Sequence, residues 1–122
     1  MEVKRTERGY PGHFILSHRC VFTRNTLLEY GETRVIVSTV GDLRDKDEPG
    51  KIDTVGHNRY YETMAFRAEK NGVYWDTDVG SQIDFEAEWA IWGEITKESD
   101  YEADLMHERV VDELAARIKD GE

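Results

Sequence analysis

A chain of 122 residues, 39% hydrophobic and 34% charged, has the material for one soluble domain around one modest core. Its formal charge of −10 argues against a nucleic acid polymer as partner, because phosphates need a broad basic surface. No apolar run is long enough to cross a membrane, no signal core follows Met1-Glu2-Val3-Lys4-Arg5, and the lone Cys20 cannot form an internal disulfide, so the expected setting is the cytoplasm.

The charge is uneven. Residues 76–122 hold 15 of the 26 acids against four bases, which leaves the first 75 residues close to neutral. Ten of the 16 bases are arginine, whose planar fork suits bidentate contact with a small anion. A compact anionic ligand therefore stays open where a polymer does not.

In chain order, residues 1–8 are charged and expected to be loose. From His13 to Phe22 the alternation predicts a strand with Phe14, Leu16, His18, Cys20 and Phe22 on one face. On that reading His18 and Cys20 form a buried structural pair rather than a zinc site. Leu27–Tyr30 and Thr33–Val40 read as a hairpin closed by Gly31-Glu32 in a type II′ turn, with Glu29 opposite Arg34 and Leu28 opposite Val35. Residues 41–53 are charged, contain Pro49-Gly50, and predict an exposed loop in which a lid could sit.

Asn71-Gly72 is the strongest hairpin signal. Pairing outward from it sets Ala68 opposite Trp75, Phe66 opposite Thr77 and Met64 opposite Val79. The other face then carries Arg67 opposite Asp76 and Tyr61 opposite Gln82. A further strand is expected over Glu88–Glu94. Ser99-Asp100-Tyr101-Glu102 has the form of a capping box, opening a helix over 99–120. Met106, Val110, Val111, Leu114 and Ile118 form its apolar stripe, and Gly121 ends it. The predicted architecture is α+β: one domain over residues 1–122, an antiparallel sheet built from hairpins with one C-terminal helix packed on it.

Two segments carry candidate binding chemistry. His57, Asn58, Arg59 and Tyr61 combine hydrogen-bond donors with an aromatic face, as a phosphate, ribose or base requires. Arg24 and Asn25 repeat the combination at a second strand, and Arg67 is a possible third cation. The competing reading is a polar turn in which Asn58 bonds its own backbone and Arg59 pairs with an acid. Asp76 and Asp78 share a strand face as a metal clamp would, but the hairpin register hands Asp76 to Arg67. Four histidines and one cysteine offer no zinc spacing. His107 lies on the helix stripe and reads as a satisfied core histidine. No nucleophile elbow or glycine-rich phosphate loop is present, so no catalytic residue, metal or cofactor is assigned.

At Arg24-Asn25-Thr26-Leu27, Ser38-Thr39-Val40-Gly41, Gly56-His57-Asn58-Arg59-Tyr60-Tyr61-Glu62-Thr63-Met64 and Met106-His107-Glu108, the chain resembles a group of small acidic proteins encoded by tailed phages. The resemblance runs from about Gly9 to the end. Within that setting the chain is similar to anti-defence sponge proteins such as the Thoeris anti-defence family, which sequester a cyclic nucleotide-derived immune signal without cleaving it. The resemblance implies a non-enzymatic binder in the host cytoplasm; it carries over no binding residue.

The function expected from all this is capture of a small nucleotide-type anion, with Arg24, Arg59 and Arg67 on phosphate, Asn25 and Asn58 on ribose or base edges, and Tyr61 stacking. The alternatives are an acidic module that imitates DNA towards a host protein, a nucleotide-processing enzyme using His57 as base with Asp76 or Asp78 on a metal, and a virion component without a ligand. Three tryptophans offer more aromatic surface than one small core needs, so a homo-oligomer is expected.

Overall fold

The structure, a computed structural model, describes residues 2–8, 16–48, 50–55, 60–71, 74–83 and 97–121. Strands β1 (Lys4–Glu7), β2 (Cys20–Tyr30), β3 (Thr33–Arg44), β5 (Tyr61–Asn71) and β6 (Tyr74–Ile83) form an antiparallel sheet in the order β1-β2-β3-β5-β6. The short β4 (Ile52–Asp53) pairs with the end of β3, and helix α1 (Lys97–Lys119) packs on one face. The predicted α+β architecture is the one observed.

Alternation along the central strands decides which side chains meet the helix. Leu28, Val35, Val37 and Ala65 form a cluster with Met106, Val110, Val111, Leu114 and Ile118 of α1. Each fully buried Val or Leu here contributes about 1.5–3 kcal/mol relative to exposure. Farther along the same face the residues turn polar: Arg24 and Thr26 on β2, Thr39 on β3, Tyr61 and Thr63 on β5. The opposite sheet face is also buried at Asn25, Leu27, Ile36, Ser38, Val40 and Phe66. Near the far end of β3, Val40, Leu43 and Val55 make a second small cluster, against which Leu16 and Cys20 pack.

The β2–β3 hairpin has the predicted register, with Glu29 opposite Arg34 and Leu28 opposite Val35. Positive φ falls on Gly31 (59°) and not on Glu32, as a type II′ turn requires. The apolar stripe of α1 is buried as expected, and Gly121 (φ 98°) closes the helix with its amide donating to the Ile118 carbonyl at 3.3 Å.

Several expectations are corrected. Residues 1–8 are not a loose tail: Lys4–Glu7 pair with Thr26–Glu29, and the Arg8 amide donates to the Asn25 carbonyl at 2.6 Å. An edge strand is naturally charged and exposed, and that composition made it look disordered. Of the strand expected over 13–22, residues 13–15 lie outside the described residues, Ser17–Arg19 form a 3-10 turn closed by the Arg19 amide on the Leu16 carbonyl (2.9 Å), and β2 starts at Cys20. His18 is exposed on that turn and forms no buried pair with Cys20.

The loop expected over 41–53 shrinks to the segment between β3 and β4. Gly41, Asp42 and Leu43 are buried in β3, and Leu43 pairs with Asp53. The remaining turn is tied down by Asp45, whose carboxylate accepts from the amides of Asp47 (2.9 Å) and Glu48 (3.0 Å). That geometry makes a lid unnecessary as an explanation for the loop.

The β5–β6 hairpin exists, but Asn71 faces Tyr74 and Lys70 faces Trp75, two positions from the expected pairing. Beyond Ala68–Thr77 the register jumps again: Arg67 alone lies opposite residues 78–81, and Phe66 faces Gln82. Gly80 in that segment suits a bulge. Asp76 therefore faces Glu69 and not Arg67. The helix starts at Lys97, so Ser99 lies inside the first turn, where it is buried, rather than at the cap. The strand expected over Glu88–Glu94 lies outside the described residues.

Candidate functional site

The polar half of the seam between sheet and helix is built from β1, β2, β3, β5 and α1 together. Arg24 donates to three carboxylates: Glu7 at 2.5 Å, Glu108 at 2.9 Å and Asp104 at 3.0 Å. Arg5 reaches the same Glu108 oxygen at 2.7 Å. Burial works to raise the Glu7 carboxyl, but hydrogen bonds from Arg24 and Thr26 hold it below the usual range. The Glu108 carboxyl is likewise held down, by Arg5 first and then Arg24.

Beside this cluster His107, fully buried, sits between two threonines. Its Nε2 lies 2.7 Å from Thr26 Oγ1 and its Nδ1 2.7 Å from Thr39 Oγ1. A hydroxyl has one proton, and Thr26 gives its proton to Glu7 at 2.7 Å. His107 Nε2–H must therefore donate to Thr26, and in the neutral ring Nδ1 is then the acceptor from Thr39. Thr63, 2.7 Å from Thr39, then donates to Thr39. Burial, followed by the Arg24 charge, pulls the His107 pKa down to about 4, which keeps the imidazole neutral and selects this order of donors.

At the end of the seam the Tyr61 hydroxyl donates to Asp100. Its ring meets Phe22 edge-on at 5.9 Å and lies directly over Gly41. Burial, then Asp100, pushes the phenol upward, so Tyr61 stays protonated. Nearby, Asp42 takes a left-handed backbone (φ 55°) and holds Arg44 with both oxygens, at 2.7 and 3.0 Å. Cys20 is raised to about 11 by burial and by Asp42, which removes it as a nucleophile.

Among the described residues, Arg24, Asn25, Tyr61 and Arg67 do not assemble into one site. Arg24 and Asn25 are neighbours on β2 and so face opposite sides of the sheet. Arg24 is 18% exposed and engaged by acids, while Asn25 is fully buried and accepts from Arg8 Nε at 2.7 Å. Tyr61 is buried against Asp100 and presents no stacking face. Arg67 is exposed at the bulge, four residues along β5 from Thr63, about 13 Å at the strand rise. His57, Asn58 and Arg59 lie outside the described residues; the chain resumes at Tyr60, whose carbonyl accepts from the Asp42 amide at 3.2 Å.

Arg24 thus serves the fold. Replacing it with methionine leaves Glu7, Asp104 and Glu108 facing one another, and the expected loss is about 2 kcal/mol, reduced from the fully buried case because the acids are partly exposed. Urea melts should detect it, and adding Glu108→Gln should recover part of the loss.

An open basic recess lies elsewhere, between the 3-10 turn and the end of β3. It measures about 580 Å³ and is lined by Leu16, His18, Arg19, Arg44, Asp45 and Lys46. Its walls are firm: Leu16 is anchored on the Val40, Leu43 and Val55 cluster, Arg44 is clamped by Asp42, and the Asp45 carboxylate is held low by the Asp47 and Glu48 amides. Among the described residues no ion pair engages Arg19 or Lys46. Arg19 and Lys46, with Arg44 held on Asp42 beside them, can grip a compact anion, and the apolar Leu16 can take one face of a ring.

Sequence reasoning missed this site because it placed Arg19 on a strand and dispersed Arg44 and Lys46 in a loop. The available signal was the run of bases at 44, 46 and 51 within an acidic chain. Among the described residues no group of three or more His, Cys, Asp or Glu is arranged to hold a metal ion, and no helix is long and apolar enough to cross a membrane. Comparison with protein-family models, curated proteins and solved structures finds no match.

Proposed function

We propose that this chain is a non-enzymatic binding protein that takes a compact, nucleotide-type anion into the recess between Arg19 and Lys46. In the phage setting that the sequence resembles, the ligand would be a cyclic nucleotide-derived immune signal, sequestered in the host cytoplasm. The observation that carries the reading is the gathering of Arg19 and Lys46, beside the clamped Arg44, around a recess of about 580 Å³ in a chain of net charge −10. That volume falls in the range of small-molecule sites, roughly 300–1,000 Å³. Local cations set against a negative background favour a small anion and repel a polymer.

The acidic-module alternative has less behind it. Asp104 and Glu108 are already neutralised by Arg24 and Arg5, and the exposed helix positions mix Glu102 and Asp112 with Arg109 and Lys119.

The test is calorimetric titration with a panel of cyclic mono- and dinucleotides and cyclic ADP-ribose, followed by heat release and mass spectrometry of whatever bound. One member of the panel should bind and come off intact. A charge-assisted hydrogen bond contributes about 1.5 kcal/mol or more, so Arg19→Glu with Lys46→Glu should weaken binding roughly 100-fold, while Arg24→Met leaves it unchanged. Absence of binding across the panel, or release of a hydrolysed product, overturns the reading.

A further inference from the structure

The outward face of α1 carries two large apolar side chains that the fold does not cover: Tyr101 is 65% exposed and Leu105 51%. Between them and the next turn lies a groove of about 280 Å³ lined by Glu102, Leu105, Met106 and Arg109. These four positions are spaced i, i+3, i+4 and i+7. That is the diamond of side chains into which a single residue of a facing helix inserts in knobs-into-holes packing.

We infer that the occupant is a second copy of this chain, docked through α1 in antiparallel fashion about a two-fold axis near Leu105. The argument is self-complementarity. The centre of the diamond falls between Leu105 and Met106, so an antiparallel copy places its own Leu105 as the knob in this groove and offers its own groove to ours. The same operation brings Glu102 opposite the second copy's Arg109, and Arg109 opposite the second copy's Glu102. An isologous interface requires this reciprocity, and a parallel pairing would lose it by setting Glu102 on Glu102. Tyr101, one position before Glu102, then lies beside the incoming guanidinium, where its ring face adds a cation–π contact. Within the chain Arg109 Nη2 donates to the Met106 sulfur at 3.0 Å, which holds the guanidinium at the groove rim.

The interface is independent of the basic recess, which lies near the 3-10 turn and the end of β3, so failure of one leaves the other standing. Sedimentation velocity and light scattering at about 100 µM protein, enough to fill a weak micromolar interface, should give twice the 14.2 kDa monomer mass. Leu105→Glu should give the monomer mass. Glu102→Arg and Arg109→Glu should each weaken association at least about tenfold through like-charge opposition, and the double reversal should restore it. All three substituted positions are exposed on the helix, and circular dichroism checks that each variant stays folded. A monomeric wild type overturns the proposal, as does a dimer indifferent to Leu105→Glu. Single reversals that are not rescued by the double reversal overturn the antiparallel register.

Discussion

Gly41→Ala is expected to lower stability by about 3 kcal/mol, at the upper end of the range for overpacking a filled core. A Cβ at this position would lie 2.0 Å from Tyr61 Cδ1 and 2.6 Å from Cγ and Cε1, far inside any contact distance. Tyr61 cannot swing away. Its ring is fully buried, Phe22 stands against it, and its hydroxyl is tied to Asp100 on the helix. The cost is steric and not a matter of backbone freedom, because among the described glycines only Gly31 and Gly121 have positive φ. Thermal melts should therefore register a drop of roughly 10 °C. In a double-mutant cycle, Tyr61→Ala should cost at least about 1 kcal/mol less in the Gly41→Ala background than in the wild type. A melting point within two degrees of wild type for Gly41→Ala would show that the ring does not sit where this packing requires.

The second large effect is a fall in stability on mild acidification. His107 is neutral in the fold, with its pKa drawn from the ordinary 6.5 to about 4, first by burial and then by Arg24. The unfolded chain, with the higher value, takes up the proton first, so stability is complete above pH 6.5 and is lost as the pH falls towards 4. The full difference amounts to about 3 kcal/mol. The groups facing the ring are Glu7 from β1, Glu108 from α1, and Arg24 and Arg5, so the carboxylates oppose part of what burial and the guanidiniums impose. Glu7 and Glu108, held below the normal carboxylate range, lose their own contributions at still lower pH, in the same direction. Urea midpoints measured from pH 7.5 to 4.5 should slope downward in the wild type and flatten between 6.5 and 4.5 in His107→Gln. An equal slope in both proteins would assign the loss to other groups.

What the sequence disclosed follows from where each signal is local. The Gly31-Glu32 turn and the Val110–Ile118 stripe depend on neighbours two to four residues away, and both stand as read. The Asn71-Gly72 hairpin was found, but its register was not: Asn71 already faces Tyr74 at the turn, and the further jump opposite Arg67 has no mark in the pattern beyond Gly80. Lys4–Glu7 looked unstructured since an edge strand keeps its charges in water. His107 was correctly read as a core histidine. Its partners at Thr26 and Thr39 come from more than 60 positions away, and no spacing rule reaches them. Arg24 was picked as a ligand-binding cation for its chemistry alone; three acids contributed by β1 and α1 are what claim it. The basic recess failed to register for the same reason, its cations arriving from a 3-10 turn and a strand end 25 positions apart in the sequence.

The division of the helix seam into an oily half and a polar half also indexes α1 against the sheet. Valines and leucines grip one another almost equally well after a slide of one helical turn, about 5.4 Å, so the oily half by itself would tolerate several berths. The same slide would pull His107 off both threonines, unhook Asp100 from Tyr61 and strand Arg24 from its acids. Each buried group so orphaned costs about 1–3 kcal/mol, which leaves the helix a single notch in which to seat.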